Sequence, residues 1–166
     1  FLIVALFSLM GCSAKRLPDE ASTNSSGGQS FAKVNTPHCS LITSEEAAAA
    51  LGGPVSVTPQ DDLCAYDLTG SSNKNGSLIV SLVTSASPRF KEFGVLKSDR
   101  SVMRTVSGVG DKAVIFMSKE YPGIGPKAIQ VLKGDKYVAI GMSASDGRVS
   151  DDVLKSLATS AVHRLR

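Results

Sequence analysis

The sequence predicts an α+β fold, an antiparallel sheet with helices packed on one side, from three observations. A capping box and a glycine stop bracket a short helix at residues 43 to 52. Two sets of short β-prone runs follow, joined by turns rather than by helical crossovers, and a capped amphipathic segment closes the chain. Strands that arrive in runs, rather than in strict alternation with helices, argue for antiparallel pairing.

The first helix opens at Thr43-Ser44-Glu45-Glu46, where the Thr43 hydroxyl accepts from the Glu46 N–H and the Glu46 carboxylate reaches back to Thr43. It runs through Ala47 to Leu51 and stops at Gly52-Gly53-Pro54. Three strands are expected next: Val55 to Val57, Cys64 to Leu68 with Cys64, Tyr66 and Leu68 on one face, and Ser77 to Thr84. Ser87-Pro88 caps a second short helix with Phe90 and Phe93 on its apolar face, continued by Leu96 or Lys97. Four further strands are read at Met103 to Val106, Lys112 to Met117, Lys127 to Lys133 and Lys136 to Met142. The last two meet at the hairpin turn Gly134-Asp135.

Ser150 caps the closing helix, which is expected to reach about Leu165 with Asp151 and Asp152 at its positive end. Val149 and Leu154 are spaced for a hydrophobic staple, and Val153, Leu157, Ala161 and Leu165 fall on one face. Helix plus strands thus occurs twice, which reads as a loose internal duplication without any residue-level repeat.

Composition fits one ordinary domain. Of 166 residues, 42% are hydrophobic and 20% charged, and 18 Lys and Arg against 15 Asp and Glu leave a net charge of +3. Lys33, Lys74, Lys112, Lys133 and Lys155 are scattered along the chain instead of forming a stripe, so a nucleic-acid partner is not expected. Aromatic content of 5% with no Trp leaves few platforms for stacking bases or sugars.

The start of the chain reads as an address. Phe1 to Leu9 is an apolar run shorter than the roughly 20 residues a spanning helix needs, and it fits the h-region of a signal peptide. It lacks a basic n-region and an initiator Met, which implies that the sequence begins inside the leader. Leu9-Met10-Gly11-Cys12 resembles the bacterial lipobox, in which a small residue precedes a Cys whose thiol accepts a diacylglycerol before the leader is removed. The expected organisation is therefore 1–11 as leader, 12–37 as lipidated Cys12 and tether, and 38–166 as a single domain. Several acyl chains at about 0.8 kcal/mol per buried methylene suffice for stable anchoring.

Residues 13 to 37 are rich in Ser, Gly, Asn, Ala and Pro, a composition with little to bury. About 25 residues in that regime reach roughly 25 to 30 Å. Ser13 follows the Cys where an Asp would resemble an inner-membrane retention signal. The envelope surface expected is the outer face of the plasma membrane or the periplasmic side of an outer membrane, according to the host.

Export places Cys39 and Cys64 in an oxidising compartment, where an even pair usually bridges, and a Cys39 to Cys64 disulfide is expected. A metal or thiol-catalytic role finds no support in the sequence, which has no CxxC and only His38 and His163 at unsuitable spacings. No metal or cofactor is expected.

Four patterns bear on chemistry. Gly108-Val109-Gly110-Asp111-Lys112-Ala113 has the form G-x-G-x-x-A, but a strand follows where a dinucleotide site needs a helix, so it reads as a tight turn. Gly141-Met142-Ser143-Ala144-Ser145 reads as an incomplete nucleophile elbow, with His163 on a helix and no acid beside it. Asp61-Asp62 and the group Asp146, Asp151 and Asp152 lack the EF-hand pattern and are explained by turns and the helix dipole. Tyr121 to Pro126 is a turn-forming loop with exposed apolar groups, read as a plain inter-strand loop ahead of a partner contact.

With Cys39-Ser40-Leu41-Ile42-Thr43, the Glu46 to Gly52 helix, Cys64-Ala65-Tyr66 and Val106 to Ala113, the stretch from about Pro37 to Leu165 resembles a group of small secreted bacterial lipoproteins of unknown function, common in actinobacteria. That resemblance supports the bridge and the α+β domain and implies no reaction. The function expected is a non-enzymatic, membrane-anchored interaction or ligand-binding module. Its partners are the membrane, through the N-terminal lipid, and an envelope protein or a small lipophilic ligand. The alternatives are an envelope hydrolase using Ser143 or His38, and a carrier holding a lipophilic molecule between sheet and helices.

Overall fold

A computed structural model describes residues 36–70, 76–93, 101–120, 125–144, 146 and 149–165. Leu9, Met10, Gly11, Cys12, the tether up to residue 35 and Tyr121 to Ile124 lie outside the described residues. In chain order the elements are α1 (Ser44–Leu51), β1 (Val55–Pro59), β2 (Leu63–Leu68), β3 (Ser77–Thr84), a 3₁₀ turn (Pro88–Glu92), β4 (Ser101–Val106), β5 (Lys112–Ser118), β6 (Lys127–Lys133), β7 (Lys136–Ser143) and α2 (Asp151–His163).

All seven strands join one antiparallel sheet in the order β1-β2-β3-β7-β6-β5-β4. It consists of two meanders, of three and four strands, joined where β3 pairs β7 from Ser77↔Ser143 to Thr84↔Lys136. The α+β class therefore stands, with seven strands and two α-helices among the described residues. Where a second helix is expected after Ser87-Pro88, the described residues Pro88–Glu92 form a 3₁₀ turn, and Leu96 and Lys97 lie outside the described residues. Among the described residues the two halves share the meander, and the topology does not carry the internal duplication further.

The register explains the core. Val57, Tyr66, Leu78 and Met142 lie in line across β1, β2, β3 and β7. Ile140, Ile129 and Ile115 continue the same face onto β6 and β5. All belong to or pack on a single core cluster with Ala47 and Leu51 of α1 and Leu154, Leu157, Ala158 and Ala161 of α2. Both helices thus cover one face of the sheet. Each fully buried Leu or Ile contributes about 1.5 to 3 kcal/mol, so this face supplies the main driving force. On α2 the buried stripe is Leu154, Leu157, Ala158 and Ala161, with Val153 and Leu165 at its margins.

Local signals placed the element ends. The capping box forms, with Thr43 N donating to Glu46 Oε2 at 2.8 Å and Glu46 N donating to Thr43 Oγ1 at 3.2 Å. Gly52 ends α1 in the left-handed region at φ 78°. Gly134 turns the β6–β7 hairpin at φ 57°, and residues 107–111 form the tight turn between β4 and β5.

Glu46 does more than cap. Arg164 donates to Glu46 Oε2 at 2.8 Å and Oε1 at 2.9 Å and to the Leu41 carbonyl at 2.7 Å, fastening the end of α2 to the start of α1. Burial would raise the Glu46 carboxyl, but the Arg164 and Thr43 hydrogen bonds outweigh it and hold it below its ordinary value. A carboxylate depressed in the folded state stabilises above its unfolded value and loses that contribution as pH falls. Glu46→Gln is expected to cost about 1 kcal/mol at pH 7, as for the loss of a cap with a partly exposed ion pair. The gap to the parent should shrink by pH 3 in urea melts; an equal gap at both pH values would count against this role.

Candidate functional site

The opposite face of the sheet differs from the core face. Its outward residues on the two central strands are Ser77, Ile79, Ser81 and Val83 of β3 and Tyr137, Ala139, Gly141 and Ser143 of β7. At one end Tyr137 is covered by the 3₁₀ turn, with the Phe90 and Phe93 ring centroids 6.0 and 5.8 Å from its own. Toward the other end Ile79 is 42% exposed although it sits in the middle of a central strand. No described helix lies over it.

Here the sheet carries a depression of about 370 Å³ floored by Ile79, Gly141, Ala128 and Phe116 and edged by serines. Ile79, Gly141 and Ala128 are register partners on β3, β7 and β6, so the floor runs across the strands. Ser77 and Ser143 face each other at one side, with their hydroxyl oxygens 3.0 Å apart.

Gly141 is the residue that sets the depth. Its backbone is not in the left-handed region, and a Cβ built on it meets nothing within 4 Å. Glycine inside a strand weakens the strand and often marks a place where another molecule comes close.

The structure separates the residues considered for hydrolysis. Ser143 pairs with Ser77 at one end of β3, whereas His38 Nδ1 accepts from the Leu82 N–H at 3.3 Å, five residues along the same strand. At about 3.4 Å per residue the two sites are roughly 17 Å apart. His163 lies beyond the same distant end, lining with Leu82, Lys136 and Arg164 a separate cleft of about 450 Å³. Neither histidine is brought to Ser143.

Asp62 and Asp151 are likewise engaged. Asp62 pairs with Arg89 at 2.7 Å, and Asp151 is held by Arg104 and by Lys127 at 3.0 Å. Among the described residues no group of three or more His, Cys, Asp or Glu side chains is placed to hold a metal ion.

Cys39 and Cys64 form the disulfide, with Cα atoms 5.1 Å apart. Cys64 is fully buried on β2, and the bridge pins the segment before α1 to the sheet. Tyr66 reinforces the pin, its hydroxyl donating to the Ile42 carbonyl at 2.5 Å and lying 3.3 Å from that of Cys39. Burial, with the nearby Glu46 carboxylate, pushes the Tyr66 phenol up to about 12, so it stays a donor at any physiological pH.

The depression itself is absent from the motif reading. The signal that marks it is Gly141 within an alternating strand run, a position where the pattern leaves an outward side chain missing. Among the described residues no helix is long and apolar enough to cross a membrane. Comparison with protein-family models, curated proteins and solved structures gave no significant match.

Proposed function

We propose that this chain is a lipid-anchored envelope lipoprotein whose domain, residues 38–166, is a non-enzymatic binding module working through the face of its sheet opposite the two helices. The observation that carries the binding reading is the apolar depression over Gly141 on a central stretch of β-sheet over which no described helix lies. An apolar concavity with a few polar groups at its edge is the usual form of a ligand site.

The anchor rests on Leu9-Met10-Gly11-Cys12 and the apolar run before it. The Cys39–Cys64 bridge supports an oxidising compartment for the domain. Lipid on Cys12 ties the module to the outer face of the plasma membrane or to an outer membrane. Its partner there is a lipophilic ligand or an envelope protein, and nucleic acid is not among its targets. The separation of Ser143 from His38 and His163 favours binding over hydrolysis.

In a host lacking the gene, the full chain carrying Ile79→Asp should fail to complement while reaching the membrane at parental abundance. Full complementation by that variant would refute the binding face. Mass spectrometry of the membrane-associated chain should find acyl groups on Cys12; an unmodified Cys12 there would refute the anchor.

A further inference from the structure

Resting on the binding face proposed above, we infer that the depression holds a single acyl chain whose uncharged, oxygen-bearing end meets the Ser77 and Ser143 hydroxyls. Charge is the first ground. Among the described residues, the side chains that line the depression on this face are serines, Ile79, Ala128, Phe116 and Pro126, and the charged neighbour that the register adds is Asp67, an acid opposite Ser77 on β2. Lys127 borders it, but the register puts Lys127 opposite Met142 on the helix-covered face, where its Nζ bonds Asp151 at 3.0 Å. A carboxylate or phosphate seated here would lose water, gain no cation among the described residues and face the Asp67 carboxylate, which is costly. A neutral ligand meets no such cost.

Size is the second ground. From Ser77 on β3 to Ser101 on β4 the lining crosses five neighbouring strands. Four spacings of about 4.8 Å make roughly 19 Å. One acyl chain in a bilayer leaflet reaches about 15 Å, half of a hydrocarbon core of roughly 30 Å, which leaves length for a small polar end. A volume of about 370 Å³ lies near the bottom of the usual range for ligand pockets, which suits one slender chain better than a bulkier ligand.

The floor and the edge complete the case. Gly141 has no backbone need to be glycine, and its missing side chain lets a chain lie flat between Ile79 and Ala128. Only one hydroxyl proton lies between Ser77 and Ser143, whichever of them donates, so the second points elsewhere and can donate to an ester carbonyl or a hydroxyl.

The test uses the full chain in its own membrane, treated with a long-chain monoacylglycerol bearing a diazirine in its tail and then irradiated. Label should concentrate on β3 and β7, be displaced by the unmodified monoacylglycerol, and fall at least about tenfold in Gly141→Leu, whose side chain fills the floor. Ile79→Asp serves as the second blocking variant if Gly141→Leu melts below the parent. Label spread evenly over the domain, or undiminished in a folded blocking variant, overturns the inference. Equal labelling by the matching free fatty acid overturns its neutral end.

A photoreactive phenylalanine analogue at Ile79 separates this inference from the broader reading. Cross-links to protein, without lipid label, overturn the acyl chain and leave a binding face. Neither lipid label nor any cross-link overturns both.

Discussion

Replacing Cys39 and Cys64 together with alanine is expected to destabilise the domain by about 3.5 kcal/mol. The bridge closes a loop with a sequence separation of 25 residues, and the chain-entropy relation gives that figure for the conformational freedom it removes from the unfolded state. Cys64 is fully buried, aligned with Val80 on the next strand, so alanine leaves a small void but no unpaired polar group. At a few degrees per kcal/mol for a domain of this size, the melting temperature should fall by roughly 10 °C or more.

Cys39→Ala or Cys64→Ala alone should cost nearly as much as the pair, because each breaks the same bond. The loss should appear first in amide exchange around Leu41 and Ile42, which the bridge and the Tyr66 hydroxyl hold in place, before it reaches β6 and β7. A double variant within 1 kcal/mol of the parent would show that the bridge is not a principal constraint on this fold.

How much of this architecture can be read from the residues depends on the range of the interaction that places them. The capping box at Thr43, the stop at Gly52, the turn at Gly134 and the cap at Ser150 involve neighbours a few positions apart, and each appears where the sequence predicts it. The bridge was legible for another reason, since two cysteines remain after Cys12 and compartment chemistry favours pairing them. Strand edges moved by one or two residues: β1 runs on to Pro59 and β4 starts at Ser101, because ladder bonds to β2 and β5 recruit residues whose own preference is weak.

The sheet order was not legible. Pairing β3 with β7 joins Ser77 to Ser143, and nothing local in either strand names its partner. For the same reason the depression is invisible in the sequence, since Ile79, Gly141, Ala128 and Phe116 come from four strands and meet only once that order is set. Gly141-Met142-Ser143 reads as a fragment of a catalytic elbow. In the fold its glycine shapes a floor, and its serine bonds another serine.

Gly110→Ala is the second substitution expected to be severe, at about 2 to 5 kcal/mol, and Gly108→Ala is its control. Both glycines stand in the turn before β5 with positive φ, 82° at Gly108 and 61° at Gly110. Each alanine therefore carries the left-handed penalty of roughly 1 to 2 kcal/mol. A Cβ at Gly108 meets nothing within 4 Å, so its cost should end there.

A Cβ at Gly110 would run into the Val131 side chain and come within 2.6 Å of the Leu132 carbonyl oxygen, which is backbone and has little freedom to yield. That carbonyl also accepts from the Asp111 N–H at 2.8 Å. Overpacking of this kind adds about 1 to 3 kcal/mol. The displacement would spread, because Asp111 accepts from the Gly134 N–H at 2.7 Å and from Lys133 Nζ at 2.8 Å, tying this turn to the β6–β7 hairpin. Those bonds, the Gly134 N–H foremost, hold the Asp111 carboxyl below its ordinary value. In urea melts the excess of Gly110→Ala over Gly108→Ala measures the close approach alone, since the backbone penalty is common to both. Equal losses would mean that conformation, and not contact with β6, requires glycine at position 110.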